Sequence, residues 1–249
     1  MSSRVPRMAL FSTQVAVVTG ASSGVGEAIA LRLAMEGATL CLIGRNADRL
    51  AAVAEETRAR SAPTRTYVVD FTVPDSVRDC VSQLRNDVAH VDILIHSAGT
   101  IARGRVETAA IEQFDRQYCI NVRVPYYLTQ CVLPLLRVRR GQIVFVNSSV
   151  VLAAKAEVGQ YAATKQALLA IADSLREEVN ADGLRVLSVF LGRTATPMQA
   201  ALYELEGRRY YPELLLQADD VAAVVCHTLS LPRTAEVTEI SMRPLLKSY

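Results

Sequence analysis

The chain has 249 residues, 51% of them hydrophobic, and a formal net charge of +2 at pH 7. This length and apolar content suit one large domain with a sizeable core. The near-neutral charge, with no run of five basic residues, argues against nucleic acid as the main partner, and no apolar stretch reaches the roughly 20 residues that span a bilayer.

We expect residues 1–12 to form a flexible arm and residues 13–249 to form a single domain. The start of the chain carries arginines and a proline but no long apolar core, so it lacks the pattern of a signal peptide. Five scattered cysteines, with no Cys-x-x-Cys pair, are typical of reduced thiols in a cytoplasmic protein. With three histidines and no clustered ligand set, we expect no metal site.

The first predicted strand, residues 14–19, is a short β-branched run of the kind that is buried in a sheet. A glycine-rich turn, residues 20–26, follows at once, and helical apolar spacing begins within it. Such a turn lets backbone N–H groups approach a pyrophosphate, whose charge the helix N-terminus favours. The sequence therefore predicts a dinucleotide site here, with an ordinary tight turn as the alternative.

Apolar strands and amphipathic helices alternate along the rest of the chain. This alternation implies a doubly wound, parallel, seven-stranded α/β sheet with helices on both faces. A ligand should then lie at the carboxyl ends of the strands. The further strands are predicted near 38–43, 65–70, 91–96, 142–147, 185–190 and 237–242, and the helices over 24–36, 46–60, 75–89, 108–137, 160–180 and 219–231.

Two segments depart from the regular pattern. Pro125 and Pro134 lie in the long helix predicted over 108–137, and each removes a backbone donor, so we expect a break or kink there. Residues 193–217 lack clear periodicity, and we predict that they form a mobile flap beside the substrate.

The second predicted strand ends in Gly44, Arg45 and Asn46. An acidic side chain at the position of Gly44 would bind the ribose hydroxyls of NAD and repel a 2′-phosphate. Arg45 can instead hold a phosphate through charge-assisted hydrogen bonds, and Ser22 could add a hydroxyl. We therefore predict NADP(H) as the cofactor, with Arg45 as an exposed surface residue as the alternative.

Tyr161 and Lys165 lie one helical turn apart in the helix predicted over 160–180, and both project from the same face. A phenol has a reference pKa of about 10, and a cation beside it favours the phenolate and lowers that pKa. A tyrosine with such a pKa can pass a proton to or from a substrate oxygen. Taken alone, the pair is also common on solvated helix faces.

These motifs, in this order, resemble the short-chain dehydrogenase/reductase family over nearly the whole chain. Residues 19–26 are similar to its Thr-Gly-x-x-x-Gly-x-Gly turn, and Tyr161 and Lys165 to its Tyr-x-x-x-Lys. The resemblance implies a Rossmann fold and four catalytic residues, which are Asn121, Ser149, Tyr161 and Lys165. Tyr161 would exchange a proton with the substrate oxygen, and Lys165 would lower its pKa and bind the nicotinamide ribose. Ser149 would bind the substrate oxygen, and Asn121 would anchor a water.

Two adjacent serines, Ser148 and Ser149, follow the fifth predicted strand, and adjacent strand residues point to opposite faces of a sheet. Ser149 lies 12 residues before Tyr161, one fewer than in many relatives, and Ser148 lies 13 before it. The family's Ser-Ser ending favours Ser149, which is the prediction, and Ser148 is the alternative.

The resemblance also implies a set of cofactor contacts that follow the strands. Asp70 and Phe71 would bind adenine, with a helix N-cap as the alternative role of Asp70. His96 departs from the family's Asn-Asn-Ala-Gly, and we interpret it as structural. The predicted cofactor-binding residues are Gly20, Ser22, Ser23, Gly24, Val25, Gly26, Arg45, Asn46, Asp70, Phe71, Ser97, Ala98, Gly99, Tyr161, Lys165, Gly192, Thr194 and Thr196.

We therefore predict an NADP(H)-dependent oxidoreductase that transfers hydride reversibly between nicotinamide and a carbonyl or secondary alcohol, in the direction of ketone reduction. The alternative is an NADP(H)-binding sensor or scaffold without turnover, although such relatives usually lose the Tyr or the Lys. An epimerase or dehydratase would have a different glycine spacing. The resemblance further implies a cytoplasmic homo-oligomer, a tetramer before a dimer, which pairs through the helices near 108–137 and 160–180.

The substrate is left open by the sequence. Apolar side chains of the 193–217 segment could line a pocket or form a helical core stripe. Arg103 and Arg193 could meet an acidic substrate or lie on the surface.

Overall fold

The computed structural model describes residues 9–60 and 62–246. Its strands are β1 (Val15–Thr19), β2 (Thr39–Gly44), β3 (Thr64–Val68), β4 (Ile93–His96), β5 (Gln142–Ser148), β6 (Arg185–Leu191) and β7 (Glu239–Met242). They form one parallel sheet in the order β3-β2-β1-β4-β5-β6-β7. The predicted seven-stranded α/β fold is thereby confirmed.

Helices cover both faces of the sheet, so the central strands are buried on both sides. The α-helices of the described residues are α1 (Gly24–Met35), α2 (Ala47–Ala59), α3 (Pro74–Asp87), α4 (Ile111–Tyr118), α5 (Val124–Arg137), α6 (Gly159–Val179), α7 (Pro197–Leu205) and α8 (Ala218–Leu229). Along β1, Ala16 and Val18 pack in the core with α1, α2 and α8, whereas Val17 packs in the core with α3, α5 and α6.

The long helix predicted over 108–137 is interrupted by a π-helical turn, Cys119–Arg123, which joins α4 to α5. Pro125 follows the π turn by two residues with helical backbone throughout, and Pro134 lies inside α5. The N–H that Pro125 lacks would donate to the carbonyl of Asn121, which lies within the π turn, so the expected interruption falls beside Pro125 and not at Pro134. The π turn contains Asn121, and such turns are frequent at functional sites.

Residues 9–12 pack against the domain. The Phe11 side chain is 1% exposed, and its N–H donates to the Glu36 carbonyl at 2.9 Å. The flexible arm predicted for residues 1–12 is therefore wrong for this part, because the aromatic ring gains apolar burial against α1. Residues 1–8 of the predicted arm lie outside the described residues, and the rest of the domain assignment stays a prediction.

Residues 193–217 carry regular structure that the sequence did not predict. They contain α7 and a 3₁₀ turn, Pro212–Leu214. Thr196 begins α7 because its hydroxyl accepts the Gln199 N–H at 3.2 Å. The predicted mobility of this segment stays a prediction. Across residues 9–60 and 62–246, no helix combines the length and the apolar content needed to cross a membrane.

Candidate active site

A cavity of about 720 Å³ lies at the carboxyl ends of the strands. Residues that follow β1 to β6 line it, as expected for a ligand site in a parallel sheet. β4 lies beside β1 although β2 and β3 come between them in the chain, so the strand order reverses beside β1. This reversal opens the crevice that the cavity fills.

The turn between β1 and α1 needs its glycines. Gly20 and Gly24 have φ values of +68° and +58°, which side chains rarely adopt. A Cβ on Gly26 would lie 2.4 Å from the Gly20 carbonyl oxygen, so this glycine permits close packing. Ser23 makes no side-chain capping hydrogen bond, which leaves the first N–H groups of α1 for a ligand.

Thr19 ties this turn to the loop after β4. Its buried hydroxyl donates to the Ile95 carbonyl at 3.2 Å and accepts the N–H groups of Ser97 and Ala98 at 3.1 and 3.2 Å. The sequence analysis included Thr19 in the motif without a role. A polar residue at the end of a buried strand was the available signal.

Gly44 and Ser22 lie side by side where β2 ends. A Cβ on Gly44 would lie 3.1 Å from the Ser22 hydroxyl oxygen, so a larger residue would crowd it. Arg45 is exposed beside them and lines the cavity. No hydrogen bond or ion pair of the described residues holds its guanidinium. These residues therefore form an open, basic corner of the cavity.

Asp70 follows β3 and lines the cavity next to Phe71. Its Oδ1 accepts the Thr72 N–H at 2.9 Å and the Thr72 hydroxyl at 2.7 Å. These hydrogen bonds lower the pKa of Asp70, and the charge of Arg45 adds to the effect. Since the residue that flanks α3 is Val73, the alternative reading of Asp70 as its N-cap is wrong.

Two predicted cofactor residues do not line the cavity. Asn46 caps α2 instead, because its Oδ1 accepts the Arg49 N–H at 2.9 Å. Gly26 is taken up by its packing against Gly20. The other predicted cofactor residues all lie along the cavity wall, and their contacts with a cofactor stay predictions.

Tyr161 and Lys165 reach the cavity from the first two turns of α6. The Lys165 Nζ donates to the Val146 carbonyl at 3.0 Å and lies 5.9 Å from the centroid of the Tyr161 ring. Gly99 lies opposite: a Cβ there would be 3.8 Å from the Lys165 Nζ and 3.4 Å from the Asn121 Oδ1. The loop after β4, the π turn and α6 therefore meet at this point.

Burial dominates the titration of both groups. It raises the pKa of Tyr161 to about 12 and lowers the pKa of Lys165 to about 8. The Ser148 hydroxyl lowers the pKa of Tyr161 by hydrogen bonding, but less than burial raises it. The expected lowering of this pKa by Lys165 is therefore wrong as a net effect, and Tyr161 is protonated at neutral pH.

Ser148, rather than the predicted Ser149, lies against Tyr161. β5 ends at Ser148, and Ser149 begins a 3₁₀ turn. The Ser148 side chain is close enough to Tyr161 to favour its phenolate through a hydrogen bond, and its Oγ also accepts the Val150 N–H at 3.3 Å. The structure therefore favours the alternative, Ser148, as the hydroxyl that faces Tyr161, and the choice of the catalytic serine stays a prediction. Ser149 also lines the cavity.

Asn121 is fully buried and does not line the cavity. Its Oδ1 accepts the Thr100 N–H at 2.8 Å, and its Nδ2 donates to the Thr100 carbonyl at 2.9 Å and to the Thr164 hydroxyl at 3.0 Å. Asn121 therefore fixes the β4 loop against α6. With both of its N–H groups used, only its oxygen atoms could hold the predicted water.

The segment after β6 forms another wall. Gly192 donates its N–H to the Met242 carbonyl at 2.8 Å, and the Thr194 hydroxyl donates to the Gly192 carbonyl at 3.0 Å. The Thr196 hydroxyl caps α7. A Cβ on Gly24 would lie only 2.9 Å from the methyl group of Thr196, so these two residues are in close contact. All three predicted residues lie at the cavity, and both threonine hydroxyls are already used within the chain.

His96 takes no part in the cavity wall. Its Nε2 hydrogen-bonds the Thr129 hydroxyl at 2.8 Å, and its ring stacks on Phe145 with centroids 4.9 Å apart. Burial lowers the pKa of His96 to about 3, so the ring is neutral. These contacts agree with the structural role that we expected.

Arg103 and Arg193 do line the cavity, and both bind Glu206, which the sequence analysis did not single out. Apolar side chains line the cavity beside them, namely Ile101, Val150, Val158, Leu191, Met198 and Leu202. In the part of the chain that the structure describes, no group of three or more His, Cys, Asp or Glu residues could hold a metal ion.

The sequence of this chain is similar to known proteins. The family model described as short chain dehydrogenase matches residues 14–207. An uncharacterized oxidoreductase of Staphylococcus epidermidis is 33% identical over 239 residues, which are 96% of this chain and all of that protein.

Two solved structures share the fold at a similar level. The alcohol dehydrogenase of the archaeon Thermococcus sibiricus, complexed with 5-hydroxy-NADP, superposes with a TM-score of 0.86 at 27% identity, covering 95% of this chain and 98% of that one. A short chain dehydrogenase of Burkholderia cenocepacia in complex with NADP has a TM-score of 0.82 at 28% identity, with 94% and 97% covered.

Proposed function

The chain belongs to the short-chain dehydrogenase family, and from that premise we propose that it reduces a carbonyl compound reversibly to an alcohol with NADP(H). The observation that carries the proposal is one cavity that joins the glycine-rich turn to Ser148, Tyr161 and Lys165. Family membership supports an oxidoreductase that uses a nicotinamide cofactor. Ketone reduction and the choice of NADP(H) are our proposals.

The residues that line the cavity have the chemistry needed to bind a dinucleotide. The left-handed glycines and the open N-terminus of α1 would hold the pyrophosphate. Asp70 would accept a hydrogen bond from adenine, and Arg45 with Ser22 would hold the 2′-phosphate. Lys165 would bind the nicotinamide ribose. The bound nicotinamide supplies the hydride that reaches the carbonyl carbon.

The proton that the reduction needs would come from a side chain of the protein. Tyr161, whose raised pKa keeps it protonated, would donate its proton to the carbonyl oxygen as the hydride reaches the carbon. Ser148 would donate a hydrogen bond to the same oxygen and stabilise the charge that develops there. Lys165 would keep positive charge beside the resulting phenolate, and Asn121 holds the loop that faces it.

The proposal is tested by NADPH consumption with a panel of uncharged and acidic carbonyl compounds, with NADPH binding measured by fluorescence in parallel. Turnover of at least one compound, absent without protein, is the expected result. Tight NADPH binding with no turnover across the panel would contradict the proposal and favour the sensor or scaffold.

Arg45→Ala should weaken NADPH binding by about tenfold or more and change NADH binding little. One charge-assisted phosphate contact contributes roughly 1.5–3 kcal/mol, and 1.4 kcal/mol is tenfold in affinity. Fluorescence titration with both cofactors gives the comparison. Arg49→Ala is the matched control, because Arg49 is exposed on α2, the helix that follows Arg45, and does not line the cavity. Equal losses for both cofactors would show that Arg45 does not read the phosphate.

NADPH affinity should fall as the pH rises through about 8. In the proposed complex the charged form of Lys165 binds the ribose hydroxyls, and its lowered pKa of about 8 means that this form is lost above that pH. We expect a fall of roughly threefold to tenfold between pH 7 and 9.5, in line with one charged hydrogen bond. Titrations at several pH values measure it. Lys165→Met should bind weakly and show no such fall, and a flat wild-type profile would refute the role of Lys165.

The homotetramer, with a dimer next, and the cytoplasmic location stay predictions. Support for assembly comes from large side chains that are exposed along the predicted pairing helices, Tyr118 on α4 and Tyr126 on α5.

A further inference from the structure

Glu206 directly follows α7 and is surrounded by three arginines, which we call the arginine cluster: Arg103, Arg193 and Arg208. Arg103 Nη1 donates to Oε1 at 2.6 Å, and Arg193 Nη2 donates to Oε1 and Oε2 at 2.9 and 3.0 Å. Arg208 Nη1 reaches Oε2 at 3.3 Å. The Glu206 side chain is only 11% exposed.

The arginine cluster lies at the end of the cavity away from the adenosine side. Arg45 and Asp70 follow β2 and β3, at one side of the sheet, whereas Arg103 and Arg193 follow β4 and β6, on the other side of β1. Arg103, Arg193 and Glu206 all line the cavity. Their neighbours in the cavity wall are the apolar side chains named above. The cluster therefore borders the space in which a substrate would sit beside Tyr161.

The position of Glu206 is not explained by helix stability. A carboxylate at a helix C-terminus meets the negative end of the helix dipole, which favours cations there. Burial would raise the pKa of Glu206, but hydrogen bonding and charge from Arg193, with Arg103 adding, bring it below its ordinary value. Glu206 is therefore ionised at neutral pH, and its carboxylate depends on the arginines around it.

Glu206 also occupies the donors that a substrate anion would need. Arg103 uses its second amino group, Nη2, on Glu157 at 2.9 Å. Arg193 uses Nη2 on both oxygens of Glu206, and its Nη1 is buried and so is not open to the cavity. With Glu206 in place, Arg103 has both of its terminal amino groups engaged, and Arg193 has one engaged and one buried.

We infer that Glu206 determines substrate specificity by occupying the hydrogen-bond donors of Arg103 and Arg193 from within the chain, so that the enzyme takes uncharged carbonyl compounds and rejects carboxylates. This inference rests on the proposed function. A substrate carboxylate would have to displace Glu206 or lie beside it, and two carboxylates side by side repel each other. Removing the charge of Glu206 turns the same two arginines into a carboxylate site.

The test compares ethyl acetoacetate and ethyl levulinate with their free acids as substrates, and uses the ratio of kcat/KM for acid to ester. The wild-type enzyme should favour the esters by about tenfold or more. Glu206→Gln keeps the side-chain shape and should raise the ratio by at least about tenfold, the effect of one charge-assisted contact. Glu204→Gln, an exposed residue of α7, is the matched control and should leave the ratio unchanged.

Several outcomes would overturn the inference. A wild-type enzyme that prefers the acids contradicts it directly. An equal change for acid and ester in Glu206→Gln would show that Glu206 only holds α7 in place. If the wild type reduces no ester or other neutral carbonyl compound, the inference fails together with the proposed function. If the wild type reduces esters but the acid-to-ester ratio of kcat/KM is the same in Glu206→Gln, the inference alone is wrong.

A second variant keeps the test decisive if Glu206→Gln does not fold, which thermal unfolding and NADPH binding will reveal. Since Glu206 and Glu157 already occupy Arg103, Arg103→Gln should change the acid-to-ester ratio by less than about threefold. A tenfold fall in that ratio would show that Arg103 binds the substrate carboxylate in the wild type. Where Glu206→Gln does fold, adding Arg103→Gln to it should largely remove its gain for acids.

Discussion

Replacing Tyr161 by Phe should lower the rate of carbonyl reduction by at least about 10²–10⁴-fold, the usual contribution of a positioned proton donor. The change removes one hydroxyl and leaves the ring to pack. NADPH binding should be nearly unaffected, because the proposed nucleotide contacts lie on the glycine-rich turn, Arg45, Asp70 and Lys165. The measurement is the single-turnover or steady-state rate with a substrate from the panel, beside a fluorescence titration of NADPH.

The matched control is Tyr126→Phe, since Tyr126 is exposed on α5 and does not line the cavity. It loses the same hydroxyl and should keep parental activity. A Tyr161→Phe protein that binds NADPH and still reduces the substrate at near-parental rate would falsify the proposed mechanism. Loss of both binding and activity would instead point to a structural role of the hydroxyl.

The direction of this prediction follows from the burial of Tyr161. A pKa of about 12 keeps the phenol protonated across the physiological range, which suits a proton donor in reduction. The reverse reaction needs the phenolate, which burial disfavours. The cation of Lys165, 5.9 Å from the ring centroid, and the Ser148 hydroxyl both favour it. The resting protonation state of Tyr161 is therefore the one that the proposed carbonyl reduction needs.

Sequence reasoning located the strand ends and the glycine-rich turn because local chemistry determines them. A strand buried on both faces must be a short apolar run, as residues 16–18 of β1 are, and its end is where polar and glycine residues resume. A left-handed φ at Gly20 and Gly24 admits almost no other residue. Such positions carry their structural meaning within a few residues of sequence.

The features that escaped the sequence analysis depend on contacts between distant residues. Glu206 is recognisable only beside Arg103, which lies 103 positions earlier in the chain. Phe11 is buried because it packs in the core with α1, and Glu36 at the end of that helix accepts its N–H. α7 buries little more than Tyr203, so its apolar residues showed no helical stripe, although Thr196 before Pro197 was a helix-start signal.

The choice between Ser148 and Ser149 shows a different limit, which a matched pair of variants can resolve. Two neighbouring serines differ by one residue in register, and a shift of one residue turns a strand side chain to the other face. Ser148 pairs with Leu191 as the last residue of β5, and this pairing fixes the face that its hydroxyl presents to Tyr161. The spacing of 13 residues to Tyr161 also favours Ser148.

Ser148→Ala should therefore lower kcat by about 10²–10³-fold, the typical loss when one donor to a developing oxyanion is removed. Ser149→Ala removes the same atom one residue later and should cost less than about threefold, because Ser149 begins the 3₁₀ turn and, unlike Ser148, does not affect the pKa of Tyr161. Both variants are assayed with the same substrate, and NADPH titrations verify that each still binds the cofactor.

Since Ser148 also lowers the pKa of Tyr161, the Ser148→Ala enzyme should lose more in alcohol oxidation, which needs the phenolate, than in ketone reduction. A larger loss in Ser149→Ala would restore Ser149 as the oxyanion donor and show that the Ser148 contact is structural.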